Sequence, residues 1–142
     1  MISVVVATLN NERTLSACLA ALVPAAVDAI VTEVIVVDGG STDATPEIAD
    51  DAGAKRADSV AAAVAAAKCD WVLILPATLR LETGWEAEAA AHLQTAGGRG
   101  ARFRSATWRP FGGGERAVMI RRDRFGQRLI GLKRLDSRAY AI

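Results

Sequence analysis

The chain has 142 residues, 51% of them apolar and 23% charged, with a net charge of +1. That length suits one domain with a core of moderate size, and the composition is that of an ordinary globular protein. No apolar run approaches the ~20 residues of a membrane span, and the N-terminus MISVVVATLNNE has no basic leader, so neither a transmembrane segment nor a signal peptide is expected.

The small net charge hides an asymmetry. Residues 1–98 carry five basic and thirteen acidic side chains, whereas residues 99–142 carry twelve basic and three acidic. The second segment is therefore expected to face something anionic: a phosphate-bearing ligand, an acidic protein surface or a membrane surface. Nucleic acid is not expected, because only Phe103, Trp108 and Phe111 interleave the arginines, too few for a stacking platform. Cys18 and Cys69 have no CxxC partner and read as reduced thiols of a cytoplasmic protein. The single histidine, His92, lies in an alanine-rich helical stretch and reads as a surface or packing residue.

Residues 2–9 are a β-branched run bounded by Asn10-Asn11, the pattern of a strand buried on both faces. Residues 12–22 place Leu15, Cys18, Leu19 and Leu22 at helical spacing, and Pro24 ends or kinks that helix. Residues 33–38 form a second buried strand. Thr42 or Asp43 caps the next helix, with Pro46 in its first turn and Gly53 closing it. A short third strand is expected at 54–57. A helix follows over 58–68, capped by Asp58 or Ser59, then a fourth strand at 71–75 stopped by Pro76. Residues 84–95 read as a helix, 101–107 as a strand and Gly112-Gly113-Gly114 as a flexible tip; 116–121 read as a strand and 122–130 as a short basic helix. Strands alternating with helices predict one α/β domain over 1–142 with a largely parallel sheet.

Ligands of such sheets sit beyond the carboxyl ends of the strands. After the first strand come Thr8, Asn10, Asn11 and Glu12; after the second come Asp38, Gly39, Gly40, Ser41 and Asp43. A carboxylate at a strand end can accept hydrogen bonds from a ribose diol or a base N–H. Glycines allow close backbone approach, and free N–H groups at a helix start can meet phosphate. The same residues also fit a strand end followed by a helix cap with no ligand, and spacing alone leaves both readings open. No GxGxxG loop follows the first strand and no glycine-rich loop carries a lysine, which argues against dinucleotide and P-loop roles.

The stretches ISVVVATLNNERTLSACLAAL and VTEVIVVDGGSTDATPEIADDAGAK resemble the N-terminal half of a family 2 glycosyltransferase, and best the small bacterial subgroup whose second strand ends in VVDGGSTD. The resemblance is strong over 2–54 and looser through AAAKCDWVLILPATLRLETGW and AVMIRRDRF. It implies a Rossmann-like, three-layer GT-A fold with a mostly parallel central sheet, a nucleotide-binding half at 1–82 and an arginine-rich part at 99–142. It also implies that Thr8, Asn10, Glu12 and Asp38 hold the base and ribose of a nucleotide-diphospho-sugar such as a UDP-sugar, with Gly40 and Ser41 shaping the pocket. Ala7 stands where the family usually has proline.

Other departures concern chemistry. The family ends its fourth strand in an Asp-x-Asp type motif, His-Ala-Asp in this subgroup, which binds Mg²⁺ or Mn²⁺. Aligned through Leu75 and Arg80-Leu81, this chain has Pro76-Ala77-Thr78, with no carboxylate or imidazole. Hard divalent cations need oxygen ligands, usually anionic ones, so neither a metal site nor a metal cofactor is expected. The nearest acid downstream is Glu82. SVAAAVAAAK replaces a segment that touches base and diphosphate in the family, leaving Arg56 and Lys68 as the nearby cations. The family's late acidic pair, its catalytic base, has only Asp136 to correspond to it, in a context that does not match, so no catalytic residue is assigned. The expectation is a glycosyltransferase-like domain with impaired catalysis, a pseudoenzyme; if activity survives, it is hexosyl transfer from a nucleotide-diphospho-sugar. The alternative is a non-catalytic nucleotide- or partner-binding module of the same descent. Trp85 and Trp108 are expected to pack rather than to serve as sugar platforms.

Overall fold

A computed structural model describes residues 1–105, 116–127 and 131–142. Its elements run β1 (Ile2–Thr8), α1 (Leu15–Ala20), α2 (Val23–Val27), β2 (Val31–Asp38), α3 (Thr45–Asp51), β3 (Lys55–Ala57), α4 (Val60–Ala66), β4 (Trp71–Pro76) and β5 (Leu79–Leu81). They continue with α5 (Trp85–Thr95), β6 (Ala101–Ser105), β7 (Val118–Arg121), a 3₁₀ turn (Arg122–Arg124) and β8 (Lys133–Ala141).

All eight strands join one sheet in the order β3-β2-β1-β4-β7-β6-β8-β5. The β3, β2, β1 and β4 neighbours are parallel, as are β6 and β8. The β4–β7, β7–β6 and β8–β5 pairs are antiparallel. The sheet is thus mostly parallel, as expected, with antiparallel strands in its second half. It must also curl. β5 lies four strands from β4 in the order, ~19 Å on a flat sheet, yet only Ala77 and Thr78 separate them in the chain. Three Cα steps reach about 11 Å at most, so the far edge bends back toward the end of β4.

Strand alternation divides the core between two faces. Val4 and Val6 of β1, Val36 of β2, Leu73 and Leu75 of β4, Met119 of β7 and Phe103 of β6 face α1, α2, α3 and α5. Val5, Ile35, Val37, Val72 and Ile120 face the other way and pack with Ala63 and Val64 of α4. Val4, Val5 and Val6 are all fully buried, which is why β1 reads as an unbroken apolar run. Trp85 joins the two halves of the sheet. It is buried, its ring meets Phe103 edge-on at 5.9 Å, and its Nε1–H donates to Ala21 O at 2.9 Å.

Several expectations are corrected. The single helix over 12–22 is replaced by α1 and α2. Pro24 does not end a helix but sits in the first turn of the second one, where its missing N–H would have no partner anyway. The helix at 122–130 is a 3₁₀ turn over Arg122–Arg124, and residues 128–130 lie outside the described residues, as do 106–107, Trp108, Phe111 and the Gly112-Gly113-Gly114 tip. β5 and β8 were not anticipated. Ser59 does cap α4, its side chain accepting from Ala62 N–H at 3.0 Å. His92 is a packing residue: it is buried, edge-on to Trp71, and its Nε2 lies 2.7 Å from Arg99 O. That carbonyl can only accept, so Nε2 carries the proton.

Gly100 allows a close crossing in the second half. A Cβ there would lie 2.7 Å from the Leu132 side chain and 3.1 Å from Met119 O.

Candidate functional site

The parallel ladder sets Thr8 beside Asp38 and Ala7 beside both Val37 and Pro76. The carboxyl ends of β1, β2 and β4 therefore lie side by side, and the loops that follow them meet. Gly39 N–H donates to Thr8 O and Ala77 N–H to Ala7 O, both at 2.9 Å, prolonging the ladder by one bond on each side.

The loops after β1 and β2 are tied reciprocally. Asn10 N–H donates to Ser41 Oγ at 2.8 Å, and Asn10 Oδ1 accepts from Thr42 N–H at 2.8 Å. Glu12 N–H donates to Asp43 Oδ2 at 3.3 Å, and Glu12 Oε2 accepts from Ala44 N–H at 3.0 Å. Ser41 Oγ–H and Ser41 N–H both donate to the Asp38 carboxylate. Two residues hold left-handed backbone here, Asn10 at φ 52° and Gly40 at φ 102°. Both types tolerate that region. No atom lies within 4 Å of where a Gly40 Cβ would sit, so its glycine answers to backbone angle and not to crowding.

The sequence-predicted residues Asn10, Glu12, Asp38, Gly40 and Ser41 are thus brought together. Thr8 is buried, its hydroxyl donating to Asn11 Oδ1 at 2.9 Å. Two residues outside the predicted set organise the same loops. Asn11 Oδ1 also accepts from Leu9 N–H, and its own N–H donates to the buried Thr45 hydroxyl. Asp43 accepts from the Thr45 N–H and hydroxyl, which hold its carboxyl below the usual carboxylate range. The start of α3 is accordingly not capped by Thr42. Asp43 takes the Thr45 N–H, and Glu12 reaches across from the other loop to take the Ala44 N–H. The run of Asn, Asp and Thr beside the two loops was a signal for such local bonding, but its partners depend on the β1–β2 register.

At the end of β4, Pro76 offers no N–H, Ala77 is fully buried, and Thr78 O accepts from Ile142 N–H at 2.9 Å. Thr78 brings a neutral hydroxyl and no charge, and a hard cation requires several ligands, mostly anionic. Glu82 is turned to β8, where it accepts from Arg138 N–H at 2.9 Å and Tyr140 O–H at 3.3 Å. Among the described residues no three His, Cys, Asp or Glu side chains cluster as metal ligands. The donor set at this strand end does not fit a divalent cation.

The other cations and acids weighed from sequence lie elsewhere. Arg56 forms a two-point ion pair with Asp50, at 2.6 and 2.9 Å. Lys68 precedes β4, at the opposite edge of the sheet, where its N–H donates to Glu33. Asp136 is exposed within β8, and its N–H and that of Ser137 are held by Glu88. Burial pushes the Cys18 thiol up to about 12, which makes it inert as a nucleophile. A groove of about 650 Å³ lies between α1, α2, β2 and α3, lined by Leu19, Leu22, Val23, Val34 and Ile48 with Glu33 and Asp51. It carries no cation to meet phosphate.

Comparison with known proteins bears on family and fold. The glycosyl transferase family 2 profile matches residues 3–97. The fold is similar to glucosyl-3-phosphoglycerate synthase from Mycobacterium tuberculosis, solved with Mn²⁺, UDP and phosphoglyceric acid: TM-score 0.67, 22% identity, covering 87% of this chain and 56% of that one. It is also similar to TarS 1–349 of S. aureus, with TM-score 0.66 and 18% identity over 85% of this chain and 47% of that one. The chain thus spans about half the length of these solved relatives. No curated protein sequence matches it. No described helix is long and apolar enough to cross a membrane. With the family profile covering more than half of its residues and an α/β fold similar to these solved structures, the chain belongs to glycosyltransferase family 2 and has the GT-A fold.

Proposed function

We propose that this glycosyltransferase-like domain binds a nucleotide-diphospho-sugar, such as a UDP-sugar, at the carboxyl ends of β1 and β2, with its transferase activity impaired. The observation that carries the reading is the joined pair of loops. They set Asn10, Glu12, Asp38 and Ser41 on one strand edge in fixed orientations, as a pre-organised polar site requires. Asp38 is the principal ligand group: a half-buried carboxylate at a strand end, oriented by Ser41, able to accept from ribose or base. Thr8 and Gly40 shape the floor and the turn. The solved relative's complex with UDP supports the ligand class.

The impairment rests on the uncharged end of β4. An inverting transfer needs a charge-neutralising group at the diphosphate and a base to deprotonate the acceptor. Pro76-Ala77-Thr78 supplies no metal ligands of the usual kind, and Glu82 and Glu88 are engaged by β8. A non-catalytic nucleotide-binding role follows if both functions are missing.

Isothermal titration with UDP and with GDP tests the binding. The expected result is micromolar-to-millimolar association with one of them, weakened at least tenfold in Asp38→Ala. Absence of binding by both at millimolar concentration would overturn the reading. A coupled assay for sugar release from UDP-sugars tests the impairment, and turnover at rates usual for enzymes, 1 s⁻¹ or above, would overturn that part alone.

A further inference from the structure

The second half of the sheet carries a row of arginines along the same edge as the candidate site. In the β6–β8 ladder Arg102 stands beside Arg134 and Arg104 beside Arg138. They lie on the face opposite the buried Ala101 and Phe103. β7 pairs Val118 with Arg102, and the Phe103 N–H bonded to Ala117 O at 3.0 Å carries that register on, so Arg116 comes beside Arg104. On its other side Val118 pairs with Ile74 of β4. Two residues further along both strands, Arg116 draws level with Pro76. β6 runs parallel to β4 and β1, because β7 is antiparallel to both β4 and β6. Pro76, Arg116, Arg104 and Arg138 therefore succeed one another across neighbouring strands near the edge that bears Thr8 and Asp38.

None of Arg102, Arg104, Arg116, Arg134 and Arg138 forms an ion pair among the described residues, unlike Arg56, Arg121 and Arg122. Of the described acids near β8 and β5, Asp136 is exposed within β8, and Glu82 is already bonded to Arg138 N–H and Tyr140 O–H. α4, the one described helix on this face, packs on β1, β2 and β3. Like charges directly opposite each other destabilise a sheet, so the row disfavours the free protein and favours an anion lying over it.

We propose that Arg116 and Arg104 bind the diphosphate of the nucleotide ligand, taking the place of a divalent cation that the end of β4 cannot hold. This rests on the nucleotide reading above. Three strand spacings of ~4.8 Å put β7 about 14 Å from β2. Asp38 follows the face of Val36 and the arginines the opposite face, so an extended nucleoside diphosphate anchored at Asp38 meets them by passing over the strand ends. Arginine suits the task because it stays charged at all working pH and matches phosphate oxygens with paired N–H donors. The stretch between them, Ala7 and Pro76-Ala77-Thr78, is uncharged.

The test is calorimetric binding of uridine, UMP and UDP, with guanosine, GMP and GDP in parallel, in EDTA and in Mn²⁺. The probes are run on the wild type, Asp38→Ala and Arg104→Gln/Arg116→Gln. The nucleoside diphosphate is expected to bind equally within twofold in EDTA and Mn²⁺, and at least tenfold tighter than its nucleoside. The arginine pair should lose that tenfold while keeping nucleoside affinity, and Asp38→Ala should weaken all three ligands of the series. Nucleoside binding with no gain from the diphosphate, or a gain that needs Mn²⁺ or survives in Arg104→Gln/Arg116→Gln, would overturn the arginine role and leave the nucleotide site standing. No binding by either series would remove both. Circular dichroism of each variant confirms that the folded protein is being measured.

Discussion

In the half of the sheet built from β3, β2, β1 and β4, every strand pair is parallel, and helices cover both faces. In the half built from β7, β6, β8 and β5, antiparallel pairs enter, and among the described residues helices cover only one face. The first half belongs to the acidic segment and the second is cationic. On the proposed reading, the difference divides the ligand between the two halves. The parallel half presents carboxylates and amides at its strand ends, suited to the hydroxyl and N–H groups of a nucleoside. The mixed half brings guanidiniums to the same edge, suited to phosphate.

The largest effect on this comparison is expected from Trp85, which packs on Phe103 of the second half and bonds to Ala21 of the first. Trp85→Ala should cost about 3–5 kcal/mol in urea unfolding, because the cavity opens where the halves meet. A cost below about 1 kcal/mol would mean that the halves do not share a core.

A smaller effect, confined to the parallel half, comes from Glu33. Its carboxylate accepts from Ser3 Oγ–H, Lys55 Nζ and Lys68 N–H. Burial raises its pKa, but Lys55, Lys68 N–H and Ser3 outweigh that and hold it at about 2, against an ordinary 4.5. The folded state therefore gains stability above the ordinary value and loses it as pH falls from about 5 through 2. With Lys55 half exposed to screening, the contribution is on the order of 1–2 kcal/mol. Glu33→Gln should flatten the acid limb of the stability–pH curve; an unchanged limb would break the assignment.

The loop tie is weaker still. Glu12→Ala leaves the Ala44 N–H at the α3 start without its carboxylate and should cost about 1 kcal/mol. Amide hydrogen exchange should quicken in α3 and leave the second half unchanged. The smallest effect has the opposite sign. Arg104→Gln relieves repulsion in the arginine row and should stabilise the ligand-free protein by a few tenths of a kcal/mol, with the gain shrinking in high salt. Destabilisation there would mean that the guanidinium is bonded and not available to a ligand.

The parallel half was legible from sequence because its strands are doubly buried. ISVVVATL and VIVVD are apolar on both faces, and the turn chemistry of Asp38-Gly39-Gly40-Ser41 follows directly. Ser59 was legible as a cap because it bonds three residues ahead. β8 was not legible. Between its inward residues Leu135 and Ala139 stands the polar Ser137, in a stretch where one residue of β6 opposes three of β8 between the paired arginines. The inward side alternates in burial but not in residue type, so the apolar repeat on which strand recognition depends is missing. β5 is too short for a pattern, and although Trp85 packs as expected, its partners, Ala21 and Phe103, are too remote in the chain to be read from it.

By itself, the sequence determined the family, the parallel strands and the group of polar residues at their ends, since each follows from a local run of residue types. It also determined that the end of β4 lacks a charged donor set. Only the tertiary structure decided that Asn10 and Glu12 spend hydrogen bonds on the neighbouring loop, and that Glu82 turns to β8. The alignment of Arg116 and Arg104 with Pro76 was likewise settled there. Those outcomes depend on strand register and on the curl of the sheet, which arise from pairings between residues far apart in the chain.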